Sequence, residues 1–192
     1  NSIFKLNDQL FASNLSYVDP DFFQMFSFEF IAGDPAGLED NTSVFISESM
    51  TIRLFGKVND ARGKTITQVY GKELKEVKIA AVFKDQPMNS SFFRSEGSAY
   101  MNFKNSKDES KDFLDDNWKA ETTLFLQITE AFHRSRVQQQ LQHYTENNNR
   151  AREEFQVQEF VLDPFSTLAH RDRSDSVLAR TFPAPPVAAI TG

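Results

Sequence analysis

A chain of 192 residues with 40% hydrophobic side chains, 13% aromatics and 25% charged residues can bury a real core and is too apolar to remain disordered. Its formal net charge of −6, with acids exceeding bases in both halves, leaves no basic pole for phosphate backbones, which excludes nucleic acid as a partner. Cysteine is absent, so disulfides, thiolate metal sites and a cysteine nucleophile are excluded too, and no apolar run reaches the roughly 18 residues of a membrane span.

In chain order, Ile3 to Leu6 and Leu10 to Val18 read as a hairpin around Asn7-Asp8. Asp19 suits an N-cap and Pro20 the first turn of a short helix, on which Phe22, Met25 and Phe26 share one apolar face. Phe28 and Phe30 then alternate with Glu29 in the period of a strand that ends at Gly33-Asp34-Pro35. A second strand from Val44 runs into Ser47, the cap of a helix that carries Met50 and Leu54 and closes at Gly56. Gly63-Lys64-Thr65-Ile66 turns toward a strand within ELKEVKIAAVFKDQP, which Pro87 ends, and Asn89-Ser90-Ser91 leads to Phe92 and Phe93.

The stretch from Asn102 to Asn117 is charged and poor in large apolar residues, as an exposed loop or short surface helix would be. After Trp118, Thr122 to Thr129 reads as a strand and Glu130 to Asn147 as a helix with the stripe Val137, Leu141 and Tyr144. Phe155 to Leu162 reads as the next strand, completing a βαβ-like half unit.

Taken in this order, DPDFFQMFSFEFIAGDP, SVFISESMTIRLFGK, RGKTI and VKIAAVFKDQPMNSSF resemble the extracytoplasmic domain of MacB/FtsX-type ABC transporter permeases, in particular those of Bacteroidetes-like bacteria. The resemblance implies an α+β fold of two subregions. Residues 1–94 would be an inserted subdomain of strands and short helices with a leading hairpin, and 95–170 a porter-like βαβ subdomain lacking its early half. Residues 171–192, with FPAPPVAAITG, would lead toward the next membrane helix.

It further implies a location on the periplasmic face of the inner membrane, anchored by one helix before the domain and three after it. The expected partners are a cytoplasmic ABC ATPase, a second permease copy and a periplasmic protein or substrate. The role would be to carry ATP-driven motion of the membrane helices outward, with no catalytic residues, cofactor or metal.

The residues themselves offer little chemistry. Gly63-Lys64-Thr65 would end a phosphate-binding loop only with glycine at position 58, which is Val58, so it reads as a turn into a strand. His170-Arg171-Asp172 spells a kinase triplet without the downstream asparagine or a glycine-rich loop, and no G-x-S-x-G elbow occurs. His133 and His143 lie ten residues apart on one helix, about 280° around its axis, and cannot share a metal. Asp115-Asp116 and Glu153-Glu154 read as solvated pairs, and Asp175-Ser176-Val177 fits a short O-glycosylation pattern of the lineage that the resemblance suggests.

Twenty phenylalanines are the conspicuous excess. Most read as core, since each buried ring contributes about 1.5–3 kcal/mol. The consecutive pairs Phe22, Phe23 and Phe92, Phe93 cannot both face inward, and one of each is expected to line a groove or interaction surface. If Phe22, Phe23 or Phe26 wall an open pocket, the domain is a binding module for a lipid or peptide; if they fill space, it is a transducer.

Overall fold

The computed structural model describes residues 2–90, 92, 94, 97–106, 123–151 and 156–166, which fall into two compact units, Asn1–Asn117 and Trp118–Gly192. Of the stretch expected at the surface, Asn102 to Asn117, the described part is contrary to that expectation, with Asn102, Asn105 and Ser106 buried. Residues 107–117, Trp118 and the tail at 171–192 lie outside the described residues.

The described residues of the first unit form seven strands. β1 (Ser2–Leu6) and β2 (Gln9–Val18) form the expected hairpin, with Asn7 at φ 54° in the left-handed conformation that a tight turn needs. They are followed by β3 (Phe30–Ala32), β4 (Ser43–Ser47), β5 (Thr65–Tyr70), β6 (Glu73–Phe83) and β7 (Ser98–Asn102). Pairing runs β6–β4–β7–β2–β1–β5 and returns from β5 to β6, so six strands close a ring to which β3 adds on β6. Closure gives each ring strand two neighbouring strands, which shortens the edge left open to strands of other chains. It depends on the length of β6, whose first half pairs with β5 and whose second half pairs with β4 and β3.

β7 is the element that the sequence pattern does not reveal. It lies between β4 and β2, so residues 98–102, expected to open the second subregion, stand at the centre of the first.

Two apolar layers sandwich the central strands. On β4, Val44 and Ile46 enter one layer and Phe45 the other; on β7, Ala99 and Met101 oppose Tyr100 in the same way. β6 sends Val77, Ile79 and Val82 to the first layer and Ala81 and Phe83 to the second. The three-residue step from Ile79 to Val82 departs from a strand's period of two because the register slips opposite Val44 and Phe45, leaving Ala80 as a bulge.

Helix α2 (Glu48–Phe55) follows β4 as the capping pattern predicts, with the Met50 amide donating to Ser47 Oγ and Gly56 closing it at φ 75°. For α1 the residue range is Phe22–Met25, a single turn. α2 lays Met50 and Leu54 into the first layer. Ser47 Oγ also accepts the Ser98 amide at 3.1 Å, and Asp85 accepts both the amide and the hydroxyl of Ser49 at 2.9 and 2.7 Å. The start of α2 is thereby tied to β7 and to the chain leaving β6.

The second unit contains helix α3 (Ala131–Ala151), the helix that the pattern over Glu130 to Asn147 anticipates. Its inward stripe is Val137, Leu141, Thr145 and Asn148, whereas Tyr144 is exposed, so the expected apolar stripe is rotated toward a polar one. The flanking segments expected as strands are irregular: residues 123–128 and 156–162 carry no strand assignment. For 156–162 the reason lies in α3, whose side-chain amides replace a neighbouring strand. Asn149 donates to the Val157 carbonyl at 2.9 Å and accepts its amide at 2.7 Å, and Gln138 does the same for the Phe160 carbonyl (2.6 Å) and the Leu162 amide (2.8 Å).

Two outcomes follow from these contacts. At Gly33, φ is 80° and an added Cβ would stand 2.4 Å from the Ala80 carbonyl oxygen, whereas Gly71, at φ 57°, faces open space. Gly33→Ala is expected to lose about 2–4 kcal/mol and Gly71→Ala about 1 kcal/mol, measured by urea denaturation. Asn149→Ala is expected to speed hydrogen exchange at the Val157 amide by about tenfold or more while leaving amides of β4 unchanged, read by exchange mass spectrometry or NMR.

Candidate functional site

The aromatic excess gathers in the second apolar layer of the first unit. α1 starts later than the capping pattern suggests: its N-cap is Asp21, whose side chain makes no capping bond, and the Asp19 carbonyl instead accepts the Phe22 amide at 3.0 Å. With only one turn of helix, the face that matters is set by what lies beneath it. Phe23 is buried against the sheet, and Phe22, Met25 and Phe26 are half-buried, which corrects the expected inward face of Phe22, Met25 and Phe26. Phe28 precedes β3 and does not belong to it, but its ring still enters the layer.

The rings interlock. Phe23 stands 4.9 Å from Phe28, 5.2 Å from Phe45 and 5.3 Å from Tyr100, with the Phe28 and Tyr100 contacts edge to face. Phe22 lies over the same group, 5.3 Å from Phe23 and 5.6 Å from Tyr100. Edge-to-face pairs set the positive rim of one ring against the negative face of another and contribute about 0.5–1.5 kcal/mol each beyond burial.

Of the residues expected on a groove surface, Phe23 is therefore a core residue at 5% exposure: the helix is too short to turn it away from β4 and β6. Phe22 and Phe92 are half-buried neighbours at 5.2 Å, and Phe92 also meets Phe26 at 4.9 Å, so the loop between β6 and β7 contributes a ring to the edge of the cluster. Phe93 lies outside the described residues. Tyr100, in the centre of the missed strand β7, is the residue of this cluster that the sequence reading did not find. A short apolar strand without alternation, SAYMN, gives no signal of which face it buries.

Tyr100 has its phenol pushed up to about 12 by burial, partly offset by Arg94 and by a hydrogen bond with Ser98. Its neutral form is the one the fold holds.

The remaining candidates are placed as follows. Gly63-Lys64-Thr65 is a turn entering β5, with the Lys64 ammonium 4.7 Å from the centre of the Phe55 ring. His133 and His143 both lie on α3, and no group of three metal-ligating side chains occurs among the described residues. His170-Arg171-Asp172, Asp115-Asp116, Glu153-Glu154 and Ser176 lie outside the described residues.

The packing predicts unequal costs for the two rings. Phe23→Ala is expected to lose about 3–5 kcal/mol and Phe92→Ala about 1–2 kcal/mol in chemical denaturation, because only the first leaves a cavity closed to water. Since the folded Tyr100 phenol titrates above the unfolded value near 10, its contribution is complete below pH 10 and is lost as pH rises toward 12. The urea midpoint of the protein is accordingly expected to fall across that window, and less steeply in Tyr100→Phe.

Residues 3–144 match the family model of the MacB-like periplasmic core domain. No curated protein matches the chain. Among solved structures, a domain of a protein described as a permease from Porphyromonas gingivalis is 21% identical, with a TM-score of 0.55 over 85% of this chain and 74% of that one. The extracellular domain of the ABC-type transporter YknZ from Gram-positive bacteria is 17% identical, with a TM-score of 0.43 over 56% of this chain and 52% of that one. No helix among the described residues is long and apolar enough to cross a membrane. The family match runs from the first hairpin through most of α3, well over half of the chain, and by that match the chain belongs to the MacB-like periplasmic core domain family.

Proposed function

We propose that this domain is the non-catalytic periplasmic part of an ABC transporter permease and passes ATP-driven movement of the membrane helices to the periplasm, for export or for control of a periplasmic protein. A cytoplasmic ATPase subunit would supply the movement, and a second copy of the permease would complete the transporter. The observation that carries this reading is the filled aromatic layer: Phe23 is buried among Phe28, Phe45 and Tyr100, and the ring of strands beneath it has no open edge between β6 and β5. A body that transmits force must not deform under it, and close-packed cores have low compressibility.

The rival reading, a module that binds a lipid or peptide among Phe22, Phe23 and Phe26, asks for open space where these rings already touch: Phe22 is 5.3 Å from Phe23 and 5.0 Å from Phe26. The half-exposed rings of Phe22 and Phe92 are the part of the cluster that we assign to contact with a periplasmic partner. In the family's terms, the strand ring with its aromatic layer corresponds to the inserted subdomain, and α3 with the segment strapped to it to the late half of the porter-like one.

The test uses the intact permease reconstituted with its ATPase. Phe23→Ala, which softens the layer, is expected to reduce the transported or signalled output several-fold while ATP hydrolysis continues. Unchanged output from a domain shown to be softened, or stoichiometric uptake of a fluorescent fatty acid by the wild-type domain, would overturn the reading.

A further inference from the structure

We draw no further inference here: the strongest candidate, the apolar row that Ala12, Ile3, Val69 and Leu74 form across β2, β1, β5 and β6 beside the exposed Leu10, carries nothing because no feature of the structure shows what covers it.

Discussion

Strand β4 is dry on both faces, and the first unit is organised around that constraint. All five of its residues, Ser43–Ser47, are buried, so its backbone amides and carbonyls cannot turn to water and must be met by strands on both sides. β6 and β7 meet this demand, one parallel and one antiparallel. Each unmet group would cost about 1–3 kcal/mol, enough in sum to cancel the net stability of an ordinary domain. The same demand passes to β7, buried throughout, and is met by β2. The closed ring of strands is what results when two fully buried strands are each given partners and the long β6 bends back to β5.

The aromatic layer depends on this arrangement in turn. Phe45, Phe83 and Tyr100 come from three different strands and face the same way only because the bulge at Ala80 shifts the parity of β6. They form the floor onto which Phe23 and Phe28 pack from the segment around α1. A cluster of five rings assembled from four places in the chain is stiff because no one segment can move without disturbing rings held by the others. It also explains why consecutive phenylalanines occur: the first of the pair Phe22 and Phe23 roofs the cluster while the second fills it.

The second unit solves its backbone accounting differently. There the partner of an extended segment is a helix, and amide side chains on α3 at positions 138 and 149, three helical turns apart, present the donor and acceptor that a strand would otherwise present. This accounts for a helix whose inner face is as polar as Gln138, Thr145 and Asn148 make it. Such bonds anchor the segment without giving it a strand's regular register.

What the sequence determined by itself was local. The β1–β2 turn, the Ser47 cap and the Gly56 stop of α2 each rest on interactions within a few residues, and so were legible one by one. Their order along the chain was enough for the family. The tertiary structure decided everything that depends on distant partners. β7 became a central strand because β2 and β4 flank it, Phe23 became core because a sheet lies under a helix too short to rotate it, and 156–162 remained irregular because α3 supplied amides. Side-chain identity limits what a residue can bury or bond, but which neighbour arrives to bury or bond it is settled only when segments far apart in sequence close on one another.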